Sequence, residues 1–166
     1  MDYQPNETLL EIYERVFPAL LELQTAAKLH NIPDIFQDNG GKTYEVCSRL
    51  GLTPLPGREG NDAVDSFGTE YEIKTINLDG TVTAYSIHHT VTENVLEKYR
   101  TIKWVFAEYR GIELQDVYVV SPDKMKEFVD LWQTKKAANP KFKASLPIKI
   151  VRQIGELSWS KHATLF

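Results

Sequence analysis

From residue 70 to residue 120 the sequence reads as four β segments interrupted by one short helix, and a chain patterned this way has to fold around a sheet. The expected strands are 70–77, 82–88, 103–109 and 112–120, with a helix near 93–100 between the second and third. Asp79-Gly80 and Arg110-Gly111 mark turns between them. Successive side chains of a strand point to opposite faces, so Tyr71 and Ile73 share one face while Glu72 and Lys74 share the other. Asp62 stands ten residues earlier in a Gly-rich stretch. Two carboxylates and an ammonium at this spacing suit metal-assisted phosphodiester hydrolysis, because Mg2+ takes hard oxygen ligands and leaves room for water and phosphate oxygens. The spacing by itself is weak: with 13 Lys and 23 Asp and Glu in 166 residues, roughly two acid-x-Lys triplets arise by chance. On these residues alone, a half-exposed strand with its charges in water is the simpler reading.

The flanking segments read as helices and loops. A long helix is expected from Asn6 or Glu7 to Leu29, with Leu9, Leu10, Tyr13, Val16, Phe17, Leu20, Leu21 and Ala27 at helical spacing. Pro18 should kink it or split it in two near 16–18. After Asn39-Gly40-Gly41, residues 42–50 read as a short helix ended by Gly51. Residues 53–68 carry two Pro and three Gly and read as a loop that delivers Asp62, and as a weaker metal candidate Glu59, to the strand bearing Glu72. Ser121-Pro122-Asp123 opens another helix with Met125, Phe128, Val129 and Trp132 on its apolar face. Residues 137–146 read as a polar, basic loop and 147–150 as a last strand. The expected fold is a single α/β (α+β) domain spanning 1–166, a mixed central sheet flanked by helices.

Composition agrees. A chain of 166 residues, 42% hydrophobic and 25% charged, can bury the core of one domain and is not of disordered type. No apolar run approaches the ~20 residues of a membrane-spanning helix. The first residues, Met-Asp-Tyr-Gln-Pro, lack an apolar signal core, and Cys47 is the single cysteine, so a reducing cytoplasm fits. Four His without a Cys partner make zinc a poor fit. The net charge of −4 conceals an asymmetry: residues 1–100 hold 8 Lys and Arg against 16 Asp and Glu, residues 101–166 hold 11 against 7. Lys135, Lys136, Lys141, Lys143, Lys149 and Arg152 would line a DNA cleft, or else form a solvated helix end and loop.

Several strings resemble the PvuII-like type II restriction endonucleases, a branch of the nuclease superfamily with an Asp…Glu-x-Lys core. They are Asp34-Ile-Phe-Gln-Asp-Asn-Gly-Gly-Lys42, Leu55-Pro-Gly-Arg-Glu-Gly-Asn-Asp-Ala-Val-Asp65, Tyr71-Glu-Ile-Lys74 with Ile76-Asn77, Lys98-Tyr-Arg100, and Phe106-Ala with Tyr109-Arg-Gly-Ile112. Their order and spacing agree over roughly the middle half of the chain. The resemblance implies a restriction-endonuclease-like fold and Mg2+ held by Asp62, Glu72 and the backbone carbonyl of Ile73. Lys74 would orient or deprotonate the attacking water, and Tyr99 would approach the scissile phosphate, although an aromatic at that helix position is by default core. It further implies a homodimer on double-stranded DNA, with residues 1–30 helping to form the dimer and 31–166 cutting and reading, and a cognate DNA methyltransferase as genetic partner. The relatives cut CAGCTG at its centre and leave blunt ends. Ser86, His88 and His89 match the part that reads the central G and C in the major groove; Asp38 matches a residue near the minor groove.

Two departures touch the outer base pairs. Thr90 stands where the family carries a third His. Asn139-Pro140-Lys141 copies the wording of an adenine-reading Asn before Pro-Lys but not its spacing, because residues 142–146 intervene before Pro147. A structure-specific repair or recombination nuclease with the same core, and a catalytically silent DNA-binding protein, are the rival functions.

Overall fold

A computed structural model describes residues 7–37, 39–56, 61–88 and 92–162. Asp38, Glu59 and His89 lie outside the described residues, and of His88 the backbone alone is described.

Helix α1, Leu9–Lys28, is started by a capping box. The Thr8 hydroxyl accepts from the Glu11 amide at 3.3 Å, while the Glu11 carboxylate accepts from the Thr8 amide at 2.8 Å. This Thr-x-x-Glu signal places the helix start at Leu9, beyond the expected Asn6 or Glu7. Pro18 lies inside α1, which remains one element instead of two; the hydrogen bond it removes belongs to an exposed turn, where water can serve the carbonyl. Helix α2, Gly40–Leu50, begins two residues earlier than expected and ends at Gly51 with φ 68°. Gly40 and Gly41 donate to the carbonyls of Gln37 and Ile35 at 2.7 Å each, and a Cβ on Gly40 would meet the Asp34 oxygen at 2.3 Å. That close approach admits only glycine.

The segment 53–68 is not loop throughout. It contains β1, Thr53–Pro54, and β2, Ala63–Val64, antiparallel to each other. Next come β3, Glu70–Asn77; β4, Ala84–His88; α3, Glu93–Tyr99; β5, Lys103–Arg110; and β6, Glu113–Val120. These agree with the sequence pattern to within two residues. Helix α4, Pro122–Ala138, follows, with Pro122 in its first turn.

The C-terminal expectations fail. The strand β7 is Ala144–Pro147, which ends where a strand was expected to begin, and residues 148–154 form helix α5, Ile148–Ile154. Ala144 and Leu146 alternate into the core as a strand requires, while Pro147 with φ −61° turns the chain into a helix whose Val151 is buried. A final strand, β8 Glu156–Ser160, was hidden by its polar composition; it sits at the sheet edge, where burial is slight.

Among the described residues the strands form a six-stranded mixed sheet, β1-β2-β3-β5-β6-β8, and a two-stranded ribbon, β4-β7. β3 runs parallel to β5, and the other pairs are antiparallel. Both faces of the large sheet are covered. Tyr71, Ile73, Val105 and Ala107 pack with Val46 and Cys47 of α2. On the opposite face Trp104, Phe106 and Ile76 pack with α3, α4, α5 and the ribbon.

On that second face Glu108 is fully buried, and Arg152 of α5 binds both of its oxygens at 2.9 and 2.6 Å. The pair fastens α5, and through it the adjoining β7, to the central sheet. Removing the guanidinium would strand a buried carboxylate. Arg152→Ala is expected to lower unfolding free energy by about 3 kcal/mol, the low end for a broken buried pair because Arg152 is half in water. Urea unfolding measures this; a loss under about 1 kcal/mol would mean that Glu108 finds another partner or a proton.

Candidate active site

The site is assembled by the β2–β3 hairpin. Asp65 accepts from the amides of Phe67 and Thr69 at 2.9 Å each, and Gly68 takes φ 83°, so the chain reverses tightly between the two strands. The register Ala63↔Tyr71 and Val64↔Glu70 then brings Asp62 alongside Glu72. The Asp62 amide still donates to the Tyr71 carbonyl at 2.9 Å, and past it the Asp62 side chain takes over: its Oδ2 accepts from the Ile73 amide at 2.6 Å. Within a strand the N–H and C=O of one residue face the same neighbour. The Ile73 carbonyl therefore faces the Asp62 edge rather than β5.

Glu72 and Lys74 point to one face and Tyr71 and Ile73 to the other, as the alternation requires. The charged face is not open to water, however. Glu72 is 6% exposed, the Lys74 ammonium donates to its Oε1 at 2.7 Å, and its Oε2 is buried with no hydrogen bond. Leaving a carboxylate oxygen bare in the interior costs about 1–3 kcal/mol, which excludes the reading of a solvated strand. Burial, then the negative charge of Glu72, push the Asp62 carboxyl up to about 6, against the opposing effects of the Ile73 amide, Lys74 and Lys98. Two carboxylates that repel each other, one with a bare oxygen, have the chemistry of a hard-cation site. Among the described residues no cluster of three or more His, Cys, Asp or Glu is present, and the oxygens that could face a cation here are those of Asp62, Glu72 and the Ile73 carbonyl. That set fits Mg2+, which keeps several waters and phosphate oxygens. Cys47 of α2 does not compete: burial, then Asp62, push its thiol up to about 12.

Tyr99 reaches the same place from α3. Its ring packs edge-on to Trp104 at 4.6 Å between centroids, and Trp104 is the β5 residue in register with Glu72. Burial first, then the charges of Glu72 and Asp62 and a side-chain hydrogen bond with Glu72, push the phenol's ionisation far upward. Tyr99 is therefore both a core residue and a neutral hydroxyl beside the carboxylates. Lys98, whose charge acts on Asp62, had no sequence signal beyond its place in the Lys98-Tyr99-Arg100 string.

The residues matched to base reading fall on the ribbon and its approach. Ser86 is exposed and pairs with Ser145, the His88 backbone pairs with Ala144, and the register shifts between Ser86 and His88. Asn139 ends α4, with its Oδ1 accepting from the Lys141 amide at 3.0 Å in a local turn. Of the expected cleft cations, Lys141, Lys143 and Lys149 are exposed. Lys136 donates to the Pro140 carbonyl at 2.6 Å and Lys135 lies over the Phe142 ring. Arg152 binds both oxygens of Glu108 through Nε and Nη2, while about half of its side chain stays exposed.

A mixed sheet covered by helices on both faces, with an acid just ahead of one short strand and a Glu-x-Lys on the next, is a restriction-endonuclease-like fold. Residues 8–159 match the family model described as restriction endonuclease PvuII, and the chain belongs to that family. It is accordingly a DNA-cleaving hydrolase. Among the described residues no helix is long and apolar enough to cross a membrane.

The raised Asp62 has a measurable consequence. A carboxyl held above its unfolded value takes up a proton on folding, so its ionised form destabilises the fold; the penalty is absent near pH 4 and complete above about pH 6. Asn keeps an acceptor for the Ile73 amide without the charge. Metal-free Asp62→Asn should be more stable than the native protein by about 1–2 kcal/mol near pH 8, discounted for the part of Asp62 open to water, and equal to it near pH 4. Thermal melts in chelator at the two pH values test this, and a destabilised variant at pH 8 would contradict it.

Proposed function

We propose that this chain is a type II restriction endonuclease that makes Mg2+-dependent double-strand cuts at the palindrome CAGCTG, leaving blunt ends. The observation that supports this reading furthest is the buried, bare oxygen of Glu72 beside Asp62 in a chain of this family. A phosphodiester anion repels nucleophiles, so cleavage needs charge neutralisation, an aligned water and stabilisation of the leaving 3′ oxygen. Asp62, Glu72 and the Ile73 carbonyl would hold Mg2+, which when bound supplies Lewis acidity and positive charge at the phosphate. The hydrogen bond from Ile73 fixes one oxygen of Asp62 and leaves the carboxylate's orientation set before any ligand arrives. Lys74, held by Glu72, orients the attacking water or takes its proton; Tyr99 offers a neutral hydroxyl toward the phosphate and excludes water beneath it.

Specificity would come from the β4–β7 ribbon, with Ser86, His88 and His89 reading central bases and Asp38 approaching the minor groove. Asn139 and Lys141 would reach outer base pairs or phosphates, for which Asn139 must free its Oδ1, since reading adenine uses both ends of the amide. A palindrome calls for two-fold symmetry. Helix α1 supports a homodimer: in twenty residues only Ala27 is buried, while Leu9 is 84% exposed and Leu10, Tyr13 and Leu21 are also exposed. An apolar helix this bare gains stability by covering itself with a second copy. The whole chain acts as one nuclease domain, working in the cytoplasm with a methyltransferase that protects host sites.

Two experiments test the reading. Digestion of a plasmid of known sequence with Mg2+ is expected to give discrete fragments whose ends all fall at the centre of CAGCTG, while Asp62→Ala still binds that site in Ca2+ but cuts at least about a hundredfold more slowly. Cutting that follows nicks or branches would favour a structure-specific nuclease, and binding without any cutting a silent DNA-binding protein. Sedimentation is expected to give twice the 19.0 kDa chain mass, falling to the monomer mass on Leu10→Glu with Tyr13→Glu. A native monomer would remove the α1 interface.

A further inference from the structure

The β4–β7 ribbon has an inner and an outer face, and burial sorts its residues between them. Tyr85, Ile87, Ala144 and Leu146 are each at most 2% exposed and belong to the core beneath the ribbon. Ser86 lies between the first two and Ser145 between the last two, and both are exposed. Because the side chains of a strand alternate, both hydroxyls point away from the core. Ser86 and Ser145 are also partners across the antiparallel pair. Directly opposed residues share a face with their Cβ atoms about 4.5–5.5 Å apart, so the two hydroxyls stand side by side.

That outer face is fixed from below. The Ile148 amide donates to the Thr83 carbonyl at 3.0 Å and closes the end of the ribbon, while Arg152 holds α5 to Glu108. Exposed lysines stand in the chain on either side of β7, Lys141 and Lys143 before it and Lys149 after it. The major groove of DNA admits a two-stranded ribbon and presents base edges along its floor, with phosphates at its walls. Short hydroxyls on the strands and cations beyond their ends suit that layout. A serine hydroxyl is both donor and acceptor, so it can pair with a base edge of either kind. The step between the two hydroxyls exceeds the ~3.4 Å between stacked base pairs, and they therefore fit different pairs. We propose that Ser145 is a specificity-determining residue, its hydroxyl bonding the edge of a base pair outside the central G and C assigned to Ser86. This deepens the nuclease reading and rests on it.

The test uses the full-length protein and short duplexes built on the site at which it cuts plasmid DNA, with each base pair in turn replaced symmetrically in both half-sites. Single-turnover cleavage in Mg2+ gives the rate on the native site divided by the rate on each altered one. Ser145→Ala is expected to lower that ratio about three- to tenfold per half-site, the worth of one hydrogen bond, at a position outside the central pairs, and to leave the central ratios unchanged. Ser145→Thr, which keeps the hydroxyl and suits a strand, is expected to restore the lost discrimination. Ser145 is exposed, so both variants are expected to melt within a few degrees of the native protein. Native ratios at every position for Ser145→Ala would overturn the proposal. So would a common fall in rate with the ratios intact, the mark of a phosphate contact or of lost packing, and so would a Ser145→Thr no more discriminating than Ser145→Ala. A native protein that cuts no DNA, or cuts it irrespective of sequence, fails already at the plasmid digest; the restriction reading then falls, and the proposal with it.

Discussion

The hydrogen bond from the Ile73 amide to Asp62 is the contact on which the site depends. β2 contributes two residues to the sheet and then departs, which leaves the edge of β3 without a backbone partner at Ile73. A side-chain carboxylate fills that position at 2.6 Å. Because the acceptor is a carboxylate and the donor a fixed backbone amide, Asp62 is held beside Glu72 despite their repulsion, and the Ile73 carbonyl is left facing the same edge. One local substitution of side chain for strand thus holds Asp62 at the edge of β3 beside Glu72, with the Ile73 carbonyl facing the same edge.

That arrangement is costly to the fold. Asp62 is raised toward neutrality, a Glu72 oxygen has no donor, and Lys74 can serve only one of the two acids. The surrounding core holds it in place: Trp104 stacks on Phe106, Tyr99 packs edge-on to Trp104, and the parallel β3–β5 register sets Glu72 opposite Trp104. Such a balance is typical of sites whose electrostatics await a ligand, where stability is given up locally and recovered on binding. The same face carries the Glu108–Arg152 pair, in which an Arg satisfies the buried acid fully. Glu108 is a closed structural pair, whereas Asp62 and Glu72 are not.

Much of this was legible in the sequence because it is local. The alternation in Glu70–Asn77 gave the strand bounds and separated Tyr71 and Ile73 from Glu72 and Lys74, and Gly51 and Pro122 marked helix ends as their backbone chemistry demands. What escaped depends on contacts far along the chain. β8 is too polar to be read as a strand and exists because β6 offers it an edge; β7 and α5 divide at Pro147 because Ala144 and Leu146 pair with β4. Burial of Glu72 and the commitment of Arg152 to Glu108 likewise depend on residues dozens of positions apart, and no spacing encodes them.

A crystal structure of the protein with Ca2+ and duplex DNA tests the central claim most directly. The account predicts one or more cations within about 2.3–2.6 Å of Asp62 and Glu72 oxygens and the Ile73 carbonyl, with the scissile phosphate completing the shell. Density for the cation elsewhere, with Asp62 still bound only to the Ile73 amide and Glu72 only to Lys74, would contradict it.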